Sequence, residues 1–179
     1  MRKLKNEELG RLKPEAFAES EKLNACIILD DIRSMNNVGS AFRTADAFRV
    51  EKIHLCGITA TPPHRDINKT ALGATETVAW EHHRDILDVI EELKQHGYQI
   101  VAVEQADMST MLDTFLPKPD QKYAFVFGNE VFGVNDRVVA ESDVVLEIPQ
   151  FGTKHSLNIA VSLGIVVWDF YNKAGTFEN

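Results

Sequence analysis

Residues 25–56 read ACIILDDIRSMNNVGSAFRTADAFRVEKIHLC, and the architecture is legible from them first. Ala25 to Leu29 is a short apolar run closed by Asp30 and Asp31, the pattern of a strand buried on both faces. From about Asn37 to Phe48, Val38, Ala41, Phe42 and Ala45 recur at helical spacing, which gives one apolar helix face. Lys52 to Cys56 is a second short run, closed by Gly57. Strand, helix and strand in such quick succession form the crossover unit of a parallel sheet.

The alternation continues on the C-terminal side. Thr59 to Gly73 contains Pro62-Pro63 and several polar residues, and reads as a long loop. Thr77 to Trp80 reads as a third strand. Ile86, Leu87, Ile90 and Leu93 follow helical spacing, with Gly97 as the stop. Tyr98 to Val103 and Tyr123 to Phe127 read as strands, Val134 to Ala140 as a short helix, and Val144 to Ile148 as a strand. His155 to Tyr171 reads as a helix apolar on nearly every side, which needs cover beyond one sheet. A homodimer interface or burial within the domain would each supply that cover. Together these elements predict an α/β domain with a mainly parallel sheet flanked by helices. Asn6 to Lys22 is a modest helical pattern broken near Pro14. The expected organisation is a helical extension over 1–24, the domain over 25–172 and a short tail over 173–179, with Gly175 to Asn179 frayed.

Composition narrows the function classes. The longest apolar run, Ile159 to Trp168, is about half of the roughly 20 residues a membrane span needs. The start, MRKLKNEELGRLKPE, is charged and lacks the apolar stretch of a signal peptide, so a cytoplasmic protein with no membrane partner is expected. Cys26 and Cys56 lack C-x-x-C spacing and read as free buried thiols. His82-His83 are adjacent, a poor spacing for joint ligation, so they read as solvated side chains and no metal is expected. The formal net charge of −8 opposes a nucleic-acid partner. A local basic patch can coexist with it, and Arg33, Arg43, Arg49, Arg65 and Lys69 fall in one third of the chain.

Three segments, each after a predicted strand, combine residues that an ordinary turn does not need. Asn36-Asn-Val-Gly-Ser-Ala-Phe-Arg43 offers a tight strand exit, an asparagine to cap the helix and an arginine one to two turns in. Phe127-Gly-Asn-Glu-Val-Phe-Gly133 puts a glycine at the strand end, where backbone can approach a ligand closely. Ile148-Pro-Gln-Phe-Gly-Thr-Lys-His-Ser-Leu-Asn158 combines a stiff strand exit with polar groups near a helix start. Ligands bind outside the carboxyl ends of strands in open α/β sheets, so the location itself favours function. No G-x-G-x-x-G follows the first strand, which counts against a dinucleotide-dependent oxidoreductase.

In this order the segments resemble the three motifs of the SpoU (TrmH-type) family of SPOUT RNA methyltransferases, over about Ala25 to Phe170. Lys69-Thr-Ala-Leu-Gly-Ala74 is similar to a further loop of the family. The resemblance implies a deep C-terminal trefoil knot, a homodimer packed through the last helix and first motif, and S-adenosylmethionine as cofactor. It implies cofactor contacts from Glu104, Gln105, Gly128, Asn129, Glu130, Gly133, Ile148, Pro149, Gly152 and Leu157. Glu130 would complement the cofactor's charge or hydrogen-bond across the site. Arg43 is implied as the catalytic residue, Asn37 as the group orienting it or its neighbouring backbone, and Ser156 and Asn158 as positioning groups for ribose or cofactor. The activity implied is ribose 2′-O-methylation of a structured RNA, with tRNA slightly favoured over rRNA. Base methylation is weighed and ranked lower, because the Asn-x-Gly-x-x-x-Arg segment points to ribose. RNA contacts are expected around Arg33, Arg49, His64, Arg65, Lys69 and Lys154. The alternative is a catalytically silent RNA-binding module on the same fold.

Overall fold

The structure is a computed structural model that describes residues 1–174. The expected frayed tail, Gly175 to Asn179, lies outside the described residues. Seven strands form one sheet: β1 (Leu23–Asp30), β2 (Val50–Cys56), β3 (Trp80–His83), β4 (Tyr98–Val103), β5 (Thr110–Met111), β6 (Lys122–Phe127) and β7 (Val144–Glu147). Their order is β3-β2-β1-β6-β4-β7-β5 and every pair is parallel. The β1, β4 and β6 strands are apolar almost throughout because both sheet faces are covered.

Residues alternate between two cores, as the two-residue strand period requires. Ile27, Leu29, Ile53, Leu55 and Phe125 pack with helices α2 (Met35–Ala47), α3 (Arg65–Ala71) and α6 (Ile159–Ala174). Phe17, from the short helix α1 (Pro14–Glu19), closes that core. Cys26, Ile28, Ile100 and Val126 face the other way, under α4 (Ile86–Gln95) and α5 (Asp136–Glu141). Cys26 and Cys56 are both buried and free, and burial pushes both thiols up, that of Cys56 to about 12. They pack as small hydrophobes. No helix among the described residues is long and apolar enough to cross a membrane.

Several boundaries differ from the expectations. The predicted loop from Thr59 to Gly73 contains α3, whose N-cap His64 accepts a hydrogen bond from the Asp66 amide. Only Ile67 and Ala71 of that helix are buried, too little apolar surface to announce it. The third strand runs Trp80–His83 rather than Thr77–Trp80; it is the sheet's edge, so polar side chains are tolerated there. The last helix starts at Ile159 rather than His155, because Asn158 Oδ1 accepts from the Ala160 amide and ends the preceding loop. Upstream, a 3-10 turn at Asn6–Leu9 and α1 replace the longer broken helix.

Gly39 has a different use from the one its motif suggests. It lies inside α2 rather than in the turn before it, since Ser34 is the N-cap and accepts from the Asn37 amide. A Cβ on Gly39 would lie 2.2 Å from the Ile67 carbonyl oxygen and 2.2 Å from Thr70 Oγ1. The glycine therefore lets α3 settle onto α2, where Thr70 Oγ1 donates to the Asn36 carbonyl at 3.0 Å. Gly39→Ala is expected to push α3 away at a cost of about 1–3 kcal/mol. Urea unfolding reads the cost directly, and wild-type stability would refute the close-approach account.

One topological feature positions the site. The β7 strand lies between β4 and β5, two strands already joined through residues 104–109. The later segment therefore enters a gap that an earlier one has outlined. Lys173 Nζ, near the end of α6, donates to the Leu112 carbonyl at 2.6 Å and holds the last helix against the segment that follows β5.

Candidate active site

The loops after β4, β6 and β7 leave the same edge of the sheet and line a cavity of about 720 Å³. Its wall includes Glu104, Gln105, Gly128 to Val134, Ile148, Gln150 and Ser156 to Ile159. Backbone packing makes this geometry tight. A Cβ on Gly128 would lie 2.2 Å from the Gly133 carbonyl oxygen. Gly133 has φ +72°, a left-handed conformation that favours glycine, and a Cβ there would lie 2.2 Å from Glu104 Oε2. Glu104 is thereby placed to accept from the Val134 amide at 2.9 Å. Asn129 braces the same loop: Oδ1 accepts from the Val131 and Phe132 amides, while Nδ2 donates to the Asp31 carbonyl at 2.7 Å. Gln105 Nε2 donates to the His155 carbonyl at 2.7 Å, tying the β4 loop to the β7 loop.

Glu130 joins the first and second motifs. Its carboxylate accepts from the Arg33 and Ser34 amides at 2.9 and 3.0 Å and from Asn37 Nδ2 at 3.0 Å. Partial burial pushes this carboxyl up, but the three donors together outweigh that and hold it below the usual carboxylate range. Asn37 Oδ1 in turn accepts from Asn158 Nδ2 at 3.2 Å. One residue from each motif thus forms the chain Glu130–Asn37–Asn158. Of the two roles open for Glu130, the bond across the site is the one its partners occupy.

The expected residues do not all converge. Ile148, Ser156 and Leu157 stand on the cavity wall, whereas Pro149 and Gly152 belong to the loop but not to the wall. Gly152 has open space around it. Asp136 and Ser162 also line the cavity, although no motif includes them, and so does Gln150, a position of the third segment not singled out. Asp136 and Ser162 lie in stretches whose helical spacing carries no sign of a ligand.

Arg43 stands apart. It lines a second cleft of about 410 Å³ with Ser40, Thr44, Ala47, Phe48, Lys69 and Thr70, none of which borders the first cavity. Arg43 has no hydrogen-bond or ion-pair partner among the described residues. His64 and Arg65 begin α3 beside this cleft's Lys69, and Lys154 lies in the exposed loop 151–158. Arg33 follows β1 and is exposed, with its amide on Glu130. Arg49 precedes β2 and its carbonyl accepts from the Leu23 amide, so it sits at the opposite end of the strands.

Asp30, at the carboxyl end of β1, is 7% exposed. Burial first, then the neighbouring Asp31 and Asp85 charges, push its carboxyl up to about 6. A folded-state pKa above the unfolded value means a contribution fully present below about pH 4 and lost as pH rises through about 6. Asp30→Asn is therefore expected to add on the order of 2 kcal/mol at pH 7 and nothing near pH 4. Chemical unfolding at the two pH values checks this, and an equal effect at both would refute it.

A separate group lies at the sheet edge. His54 Nδ1 is 3.1 Å from His83 Nε2, which is 3.8 Å from Glu81 Oε2. His82 and His83 do not act jointly, as expected, but His83 is not simply solvated: only 16% of its side chain is exposed. Strand alternation turns it inward beside His54 and sends His82 to the Gly57 carbonyl.

Comparison with known proteins gives the family and the fold. The family model described as the SpoU rRNA Methylase family matches residues 24–168. A 23S rRNA (guanosine-2′-O-)-methyltransferase RlmB of Neisseria meningitidis is 33% identical over 146 residues, 79% of this chain and 55% of that protein. The chain thus spans about half the length of the curated relatives of this kind that it matches. The AdoMet-bound rRNA methyltransferase of Sinorhizobium meliloti superposes with a TM-score of 0.80 at 26% identity, over 88% of this chain and 59% of that one. The A. aeolicus TrmH/SpoU tRNA modifying enzyme shares the fold, with a TM-score of 0.79 at 23% identity, over 90% and 80% of the two chains.

Proposed function

The chain belongs to the SpoU rRNA methylase family, and on that premise we propose that it methylates a ribose 2′-hydroxyl of a structured RNA, using S-adenosylmethionine. The observation that carries this reading is the cavity walled by the loops after β4, β6 and β7. At about 720 Å³ it is within the size range of small-molecule sites. The residues present fit a nucleoside-bearing donor, since the wall sets polar groups such as Glu104, Gln105, Gln150 and Asn158 among the apolar Val103, Leu146, Ile148 and Leu157. When bound, the donor supplies a sulfonium methyl already activated for transfer.

The chain's own groups then have two tasks. Gly128 to Gly133, Ile148 and Leu157 hold the donor, while the Glu130–Asn37–Asn158 chain fixes the three loops relative to one another. Arg43 stabilises the oxyanion that develops as the ribose hydroxyl loses its proton to water or phosphate. A guanidinium stays protonated in proteins, so this role suits it better than that of a base. RNA phosphates are met by Lys69, Arg65 and His64 beside Arg43, and by Arg33 and Lys154. Arg49 is left out of this surface because of its place at the far end of the strands.

We infer that the working unit is a homodimer. The two clefts share no lining residue, so Arg43 does not border the donor cavity of its own protomer. Val161, Ile165 and Trp168 form an exposed apolar stripe on α6, and Trp168 packs on Phe48 of the Arg43 cleft. Pairing through α6 and α2 covers the stripe and sets one protomer's arginine near the other's cavity. Threading of 148–158 through the β4–β5 connection, a trefoil knot, is supported by the insertion of β7 between those strands. Work on tRNA or rRNA corresponds to a cytoplasmic protein.

The test is transfer of labelled methyl from S-adenosylmethionine to unmodified bulk tRNA and rRNA, with nucleoside analysis of the product. A labelled 2′-O-methyl nucleoside in either fraction supports the reading and names the substrate class. RNA binding with neither methyl transfer nor donor binding would overturn it in favour of a silent RNA-binding module.

A further inference from the structure

The parallel register of β2 and β3 sets His54 opposite Glu81 and Cys56 opposite His83, so His54, Glu81 and His83 share one sheet face. Their ligand atoms all lie within 4.8 Å of one another. We propose that these three side chains form a divalent metal site of the zinc class, clamping the edge strand β3 to β2. A tetrahedral zinc ion with bonds of about 2.0–2.1 Å spaces its ligands about 3.3 Å apart. The His54–His83 and His83–Glu81 separations of 3.1 and 3.8 Å bracket that value. Two imidazoles and one carboxylate are the donor set of open zinc sites. The exposed Glu81 side leaves the fourth position to water.

The scaffold is prepared for this. His54 is 4% exposed and fixed in the middle of a paired strand. Burial, with His83 and Lys52 close by, pushes its imidazole down to about 4, so it is neutral at physiological pH and keeps a lone pair to donate. Without an ion, one facing ring nitrogen donates a proton to the other. Binding moves that proton to the far nitrogen of its own ring, so that both facing nitrogens become ligands. Lys52 is the competitor, since its ammonium lies 3.1 Å from Glu81 Oε2. The site also adjoins the loop that leads to α3: the Gly57 amide donates to the His83 carbonyl at 3.1 Å. A bound ion would therefore stiffen the base of the segment that carries His64, Arg65 and Lys69. The group is independent of the donor cavity and shares no residue with it.

The experiment uses the purified chain, stripped with a chelator and desalted, then titrated with Co²⁺ by visible absorption and with Zn²⁺ in competition against a chromophoric chelator. The expected result is one ion per chain with tetrahedral-type Co²⁺ absorption, and a Zn²⁺-dependent rise in melting temperature. Affinity should fall by about tenfold or more in both His83→Gln and Glu81→Gln. Both variants should melt like the wild type in chelator, which separates lost ligation from lost folding. Lys52→Met should bind more tightly. Absence of Co²⁺ absorption, or affinity unchanged in both ligand variants, overturns the proposal and leaves a hydrogen-bonded imidazole pair.

Discussion

Arg43→Ala is expected to lower methyl transfer by about 100- to 1,000-fold, the range for removing one donor to a developing oxyanion. Donor affinity should stay at the wild-type value, because Arg43 lines the second cleft and not the donor cavity. Folding should be unaffected as well, since the side chain is exposed and has no partner among the described residues. Arg43→Lys tests whether the positive charge alone suffices. A lysine keeps the positive charge and should restore part of the rate if the group stabilises an alkoxide. Initial rates with bulk RNA, paired with calorimetric titration of the donor, read both quantities. Undiminished turnover in the alanine variant would remove Arg43 from the mechanism.

Gly128→Ala should have the opposite profile, with donor binding lost first. The added methyl would sit 2.2 Å from the Gly133 carbonyl oxygen and 2.3 Å from both Gly133 C and the Val134 nitrogen. All three are backbone atoms, so no side chain can rotate away. Moving that backbone outward breaks the Val134 amide's bond to Glu104, and with it the tie between the β6 and β4 loops. Overpacking of this kind costs about 1–3 kcal/mol. The chain should stay folded while its donor site opens. Calorimetry should find no saturable donor binding, while a thermal melt shows one cooperative transition at lower temperature. Wild-type donor affinity would refute the account of the cavity wall. Mixing this variant with Arg43→Ala offers a further check on the homodimer. Each inactive parent supplies what the other lacks, so partial activity is expected in the mixture.

Much of this was readable from the chain. The β1, β4 and β6 strands are buried on both faces, and their apolar runs are unambiguous for that reason. The three motif segments follow β1, β6 and β7, strands that burial makes visible, although the first of them lies inside α2 and is no loop. The misreadings occur where burial is thin. The edge strand β3 is mostly exposed, so its residues carry no alternation to read. The two-residue β5 strand exists only because β7 lies beside it. Its pairing belongs to the tertiary fold and leaves no local signal. Gly39 shows a subtler limit: glycine has several uses, and the turn and the close approach look identical in sequence. The separation of Arg43 from the donor cavity was invisible for a related reason. Motif spacing fixes the distance along a helix but not which opening that helix borders.

The place of β7 also sets an order of events on the ribosome. Among the described residues Thr110–Met111 pairs with β7 alone, so it must wait, unpaired, until residues 144–147 have emerged. The donor cavity waits longer, because Ser156 to Ile159 close its last wall. A nascent chain that holds only β1, β2, β4 and β6 thus has no completed cavity to bind with. Ligand cannot assist those early steps, and its stabilising effect arrives only once the late segment is seated. Run backwards, traction on the C-terminal helix should dismantle the binding pocket while the four central strands still hold.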